Sequence, residues 1–309
     1  MKPEFSAIQF PWAQLTRLVF ESVIPPGAFR SIIFQCKNLV SGSFAVNGSL
    51  LVDLESTSAI SPTIVLAHLS SLTICIEADV SYSNSIHIER TLHGLGLPSI
   101  QNFQLSTTWV PIEFPSYPMI PALYATAGIH IGTGVTSLTC LIIENITFDV
   151  ENFIKTLHGC TALEKLALFF SYPFAHAILA ALLPQDSTDT HRSSPGPPAL
   201  LNLTTFVLVV NHKHFNNFAQ SLSTLVRTWA RDPARCRPLE AIMVYDCERI
   251  GGETNFLVSR MFSRLRQLLG PWREEESDDL AVAESGMVLR TECWQPLQSL
   301  AKVLGWFEA

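Results

Sequence analysis

Leu163-Glu164-Lys165-Leu166-Ala167-Leu168 carries apolar side chains at its first, fourth and sixth positions. The fourth and sixth are two residues apart, so on an extended strand they lie on one face and Lys165 and Ala167 lie on the other. The same apolar-x-x-apolar-x-apolar unit occurs upstream as Leu15/Leu18/Phe20, Leu69/Leu72/Ile74, Ile100/Phe103/Leu105 and Leu138/Leu141/Ile143. Downstream it returns as Leu203/Phe206/Leu208 and Leu239/Ile242/Val244, and an eighth, weaker copy reads Leu39/Gly42/Phe44. With 48% hydrophobic residues in the chain, chance fills three chosen positions in roughly one window in nine, so periodicity has to carry the argument.

Successive copies start 24, 30, 31, 38, 25, 40 and 36 residues apart. The shortest steps match the ~20–29-residue period of leucine-rich repeats. The longer ones contain the loop-like stretches Val110–Pro121 and Pro184–Ala199, the second rich in Pro, Ser, Gly and Asp. Eight residues after the first apolar position, three copies carry the Asn or Cys usual in such repeats: Asn47, Asn211 and Cys247. Helical stripes follow several strands. Phe153, Ile154, Leu157 and Cys160 form one; Ile178, Leu179, Leu182 and Leu183 another; Phe215, Phe218, Leu222, Leu225, Val226 and Trp229 the clearest. Each unit therefore reads as one strand plus one helix that cannot bury its apolar side alone, and stacking completes the core. The expected fold is α/β: a leucine-rich-repeat solenoid, or horseshoe, with a parallel sheet on the concave face and helices on the convex face. Its repeats span residues 1–250. Residues 251–309 leave the pattern and are expected to form a C-terminal cap or helical tail with an acidic linker (Glu274–Glu276, Asp278, Asp279).

Certain junctions resemble a known family. Pro11–Leu18 looks like the opening of the repeat region in fungal F-box/leucine-rich-repeat proteins. Phe34-Gln35-Cys36-Lys37-Asn38-Leu39-Val40 and Leu157–Leu163 are similar to their helix-to-strand junction, with Cys three residues before the strand's first Leu. Leu97–Phe103 matches their approach to a strand. The resemblance covers roughly residues 11–250 as a repeat grammar. It implies the substrate-recognition region of an F-box-type ubiquitin-ligase receptor, with a Skp-family adaptor as partner wherever an F-box is supplied. No F-box is visible before the first repeat at Leu15, so a free-standing repeat scaffold or inhibitor stays open.

Composition narrows the function classes. The formal charge is −7, from 20 basic and 27 acidic residues, and no Lys/Arg cluster of the kind that tracks phosphates is present. Nucleic acid is not an expected partner. The seven cysteines include no C-x-x-C pair, which argues against a zinc site and a disulfide framework. Reduced thiols, the lack of an apolar leader and the lack of any span-length apolar run point to a cytoplasmic or nuclear protein with no membrane association. Sequons at Asn47, Asn145 and Asn202 read as chance matches. His212-Lys213-His214 lacks accompanying carboxylates or thiols and reads as a turn rather than a metal site. Gly132-Thr133-Gly134 lacks the spacing and Lys of a phosphate loop. Cys36 and Cys160 recur at equivalent repeat positions, as packing residues do and nucleophiles do not. No catalytic residue, cofactor site or metal site is expected. An α/β enzyme, the third reading, would need a phosphate loop or catalytic carboxylates at strand ends.

Residues between the repeat's apolar positions are expected on the inner, concave face. In the first half these are small and polar: Ser41/Ser43/Ala45, Ser71/Thr73/Cys75 and Asn102/Gln104/Ser106, after Arg17/Val19/Glu21. In the second half they turn apolar. Ile142, Phe169, Val207, Val209, Met243 and Tyr245 are expected to centre a partner-binding patch, the alternative being that a loop or the C-terminal tail lies across them. On the exposed reading, Val207→Asp leaves folding intact while Leu141→Asp and Leu166→Asp do not.

Overall fold

The computed structural model describes residues 11–47, 64–77, 95–108, 136–144, 150–169, 178–179, 181–182, 200–210, 221, 224–225, 240–246, 272–274, 280–283 and 288–294. The fold is α/β with mostly parallel strand pairing, and the chain divides into two compact units. The first comprises Met1–Thr139 and Asn145–Asn152; the second comprises Cys140–Glu144 and Phe153–Ala309.

In the first unit, β1 (Arg17–Ile24), β2 (Ser41–Asn47), β4 (Ser71–Glu77) and β6 (Asn102–Thr108) lie side by side in that order, every pair parallel. The pairing register is the repeat register: Leu18, Gly42, Leu72 and Phe103 are successive partners, as are Phe20, Phe44, Ile74 and Leu105. Between β1 and β2 runs helix α1 (Pro26–Gln35), with Pro26 in its first turn, where a missing N–H costs nothing. Phe29, Ile32 and Ile33 on this helix are buried. Phe29 meets the Phe44 ring edge-on, centroids 5.1 Å apart, and Phe20 stacks on Phe44 at 5.9 Å. This aromatic cluster accounts for the weak second copy of the repeat. A Cβ at Gly42 would sit 2.7 Å from Phe44 Cε2 and 3.2 Å from Leu39 Cδ2, so the Phe44 ring fills the space that a leucine takes elsewhere.

Strand approaches are built alike. The first apolar residue of a copy donates its N–H to the carbonyl three residues earlier: Leu15 to Trp12, Leu39 to Cys36, Leu69 to Leu66, Ile100 to Leu97, Leu163 to Cys160 and Leu203 to Leu200. Of the acceptor residues, Cys36, Leu66, Leu97, Cys160 and Leu200 are buried. The next carbonyl along then receives two consecutive N–H groups from the following copy. Val40 and Ser41 donate to Thr16, Ser70 and Ser71 to Val40, and Gln101 and Asn102 to Ser70; in the second unit Thr204 and Thr205 donate to Glu164.

Side chains extend this ladder. One step before the first apolar residue, Asn38 donates to Ala13 O (2.8 Å), Ser99 to Ala67 O (2.7 Å) and Asn202 to Thr161 O (2.8 Å). Ser137, at the same position, donates to Pro98 O and Ile100 O. One step after it, Ser70, Thr139 and Thr204 hydroxyls donate to Val40, Gln101 and Glu164 carbonyls. Asn202 and Thr204, the Asn and Thr of one sequon, are thus both bonded within the chain.

The second unit contains β7 (Cys140–Glu144), β8 (Lys165–Phe169), β9 (Thr205–Val210) and β10 (Glu240–Asp246), all parallel, with β7, β8 and β9 in repeat register. Leu141, Leu166 and Phe206 are successive partners, but Phe206 then pairs with Ala241 while Ile242 pairs with Val207, so the copy led by Leu239 stands one residue out of the expected alignment. Beyond β10 the sheet continues with β13 (Val288–Trp294), still parallel, then β12 (Leu280–Ala283) and β11 (Trp272–Glu274), both antiparallel. Helix α2 (Val150–Gly159) precedes β8, and its Phe153 and Leu157 are buried. Ile178, Leu179, Leu182 and Leu225, from the other two helical stripes, are helical and buried as well.

Two expectations need correcting. Before the third and fourth strand approaches the described residues are extended, not helical: β3 (Ile64–Val65) and β5 (Leu95–Gly96) pair in parallel as a separate two-stranded sheet. β-Branched Ile64 and Val65 suit a strand, and Gly94, Gly96 and Pro98 disfavour a helix there. The ladder of side chains also runs through Asn38, Ser99, Ser137 and Asn202, a position that the eight-residue rule did not single out. Asn211, Cys247, the segment 256–269 and the apolar tail at 303–307 lie outside the described residues. Among the described residues, no helix is long and apolar enough to cross a membrane.

Candidate functional site

Parallel pairing arranges the inter-leucine residues of the first unit into rows across the sheet. One row reads Arg17, Ser41, Ser71, Asn102; the next reads Val19, Ser43, Thr73, Gln104; a third reads Ala45, Cys75, Ser106. Adjacent members of a row sit on strands about 4.8 Å apart. On β2 and β4 the alternation is clean, with apolar Phe44, Val46, Leu72, Ile74 and Ile76 buried and Ser41, Ser43, Ser71 and Thr73 half-exposed between them. On β6 Asn102 stays half-exposed, but Gln104 and Ser106 are buried, and Gln104 has an interaction partner. The result is a face of hydroxyl and amide groups, donors and acceptors at once, bordered by the Arg17 guanidinium and by Glu21 on β1.

In the second unit, the equivalent positions whose side chains are described are closed, except for half-exposed Lys165. Ile142 and Val207, expected to be exposed, have no accessible surface, and neither does Ala167 between them in the row. Every residue of β7 is buried, including Cys140 and Glu144. The sequence fits that closure without requiring it. Cys140-Leu141-Ile142-Ile143 and Thr205-Phe206-Val207-Leu208 are near-continuous apolar runs, the signature of strands covered on both faces, whereas β2 and β4 alternate as strands with one wetter face do. At Ile142 and Val207 the apolar shift of the second half, expected as a surface patch, forms an interior instead. The side chains of Phe169, Val209, Met243 and Tyr245, the rest of that patch, lie outside the described residues. The polar rows of the first unit are the more open part of the inter-leucine face.

The buried thiols behave as packing groups. Burial pushes the Cys36 thiol up to about 11 and that of Cys160 to about 12. Cys140 is raised to about 12 by burial, against a smaller opposing pull from the Lys165 ammonium. A thiol so raised holds its proton at neutral pH and is a poor nucleophile or metal ligand. Cys160 Sγ lies 3.2 Å from the carbonyl of Thr156, one helical turn back. Among the described residues, no group of three or more His, Cys, Asp or Glu side chains could hold a metal ion. His212–His214 and Gly132–Gly134 lie outside the described residues.

These features define an α/β protein with mostly parallel strands and a polar inter-leucine face. No protein-family model matches the chain, and no curated protein matches it.

Proposed function

We propose that the chain is a leucine-rich-repeat solenoid that binds a protein partner through the inter-leucine face of its first unit. The observation that carries this reading is the equivalence of successive copies in space. The same turn, the same doubly accepting carbonyl and the same side-chain donor recur at the same repeat positions. A chain built from equivalent stacked units has its binding chemistry on residues that vary between the structural positions, and here those are Ser43, Thr73 and their row neighbours. Their half-exposed hydroxyls favour a polar, hydrogen-bonding partner surface. The fit to a substrate-recognition region of an F-box-type ubiquitin-ligase receptor rests on the resemblance of the junctions at Cys36 and Cys160. A free-standing scaffold or inhibitor is the second reading, with the same face in use.

The test is affinity capture from native extract with the full chain, in parallel with a Ser43→Arg/Thr73→Arg variant of matched stability. A partner retained by the wild type and lost by the variant supports the face; a partner retained equally by both removes it. Recovery of a Skp-family adaptor and cullin supports the receptor role, and their absence beside another stoichiometric partner favours the scaffold.

A further inference from the structure

Among the described residues, the edge of β1 repeats, without a neighbour, the donor arrangement that every later strand of the first unit satisfies. In those strands the N–H groups at the first two positions after the leading apolar residue converge on a carbonyl of the preceding strand. In β1 the equivalent donors are Thr16 and Arg17, both exposed, and among the described residues no carbonyl accepts from them. The apolar positions tell the same story. Leu18 and Phe20 are half-buried, while their partners on β2, β4 and β6 are buried. Val19, on the other face, is 55% exposed. Unpaired strand edges are templates for added strands unless something blunts them.

We propose that this edge docks an extended segment of a partner protein, running parallel to β1, with an acidic side chain beside Arg17 and an apolar one beside Val19. The direction follows from the converging donors at Thr16 and Arg17, which match a carbonyl presented as the preceding strand of a parallel ladder would present it. The side-chain preference follows from cross-strand neighbours: opposite charges and apolar pairs stabilise, like charges oppose. Docking by strand addition uses backbone bonds for affinity and alternate side chains for selection. This edge adjoins the polar face, whose rows begin at Arg17 and Val19, but it binds through backbone groups that the face does not use, and Thr73→Arg separates the two.

The probe is a fluorophore-labelled, acetylated heptapeptide of threonines with one glutamate and, two residues on, one valine, so that both fall on one face of a strand, titrated with the full chain and followed by anisotropy. Saturable binding is expected. Arg17→Glu should weaken it about tenfold and shift preference to the matching lysine–valine peptide. Val19→Pro removes an outward N–H at an edge position that tolerates proline, and should abolish binding without moving the melting temperature. Should Val19→Pro fail to fold, N-methylation of alternate peptide residues reads the same bonds. Thr73→Arg should leave binding unchanged. Absence of saturable binding, or equal affinity for wild type and Arg17→Glu, overturns the proposal. So does a concentration-dependent dimer that Arg17→Glu abolishes, since the occupant would then be a second copy of the chain.

Discussion

The Asn202 side-chain amide donates to the carbonyl oxygen of Thr161, 41 residues earlier, at 2.8 Å. Asn38 does the same to Ala13 across 25 residues, also at 2.8 Å. The two pairs occupy the same place in the repeat, one residue before the strand's leading leucine, and Ser99 and Ser137 serve there in other copies. Such bonds tie one strand approach to the previous one, where the turn leaves carbonyls that no regular ladder uses.

Asn202→Ala should therefore lower stability by about 0.5–1.5 kcal/mol, the usual worth of one hydrogen bond. Asn202→Ser should lose less, because serine makes this bond elsewhere in the chain. Urea midpoints at constant slope measure both. Equal losses for Ala and Ser would show that the amide packs there rather than bonds.

Gly42 should refuse a larger residue. Gly42→Leu drives its side chain into the Phe44 ring, and overpacking of this kind costs about 1–3 kcal/mol. The double variant Gly42→Leu/Phe44→Ile restores the pattern of the third copy, Leu72 with Ile74. It should recover part of the loss, giving a coupling that a thermodynamic cycle detects.

Leu166→Asp and Val207→Asp should both cripple folding, since both side chains are fully buried. Thr73→Asp, on the half-exposed face, should shift the urea midpoint only slightly. Soluble yield and far-UV circular dichroism distinguish the three. A well-folded Val207→Asp protein would restore the open patch that the sequence suggested.

Alkaline pH should destabilise the protein through its buried thiols. Cys36, Cys140 and Cys160 are all raised by burial from an ordinary 9.0, to about 11, about 12 and about 12. Between pH 9 and 11 the folded chain keeps protons that the unfolded chain has lost. Unfolding then releases protons, so stability is full below pH 9 and falls as pH rises. A Cys36→Ala/Cys140→Ala/Cys160→Ala variant, though less stable at neutral pH, should show a flatter alkaline limb. Among the described cysteines, half-buried Cys75 should be alkylated first in the native state.

The register of the first unit was legible because the side-chain period of two, with one buried face, admits a single alignment: a one-residue slip would expose Leu72 and bury Thr73. At β10, where Ile242 stands beside Val207 rather than Phe206, it was not. The turn three residues before each leading apolar position was half-legible, through Cys36 and Cys160. The donors at Asn38, Ser99, Ser137 and Asn202 were not, because asparagine and serine satisfy a carbonyl equally well and leave no single-letter signature. The short strands at Ile64 and Leu95 escaped because helical stripes elsewhere set the expectation for every connection.

The sequence by itself determined the eight strands of the repeated unit, their parallel pairing and the buried leucines within them, because these are local alternations repeated along the chain. Tertiary structure alone decided which inter-leucine residues meet solvent. Val207 and Thr73 stand at the same repeat position, yet one is sealed and the other half-open. That difference depends on what packs against the second face of a strand, and a strand's own alternation constrains only the first.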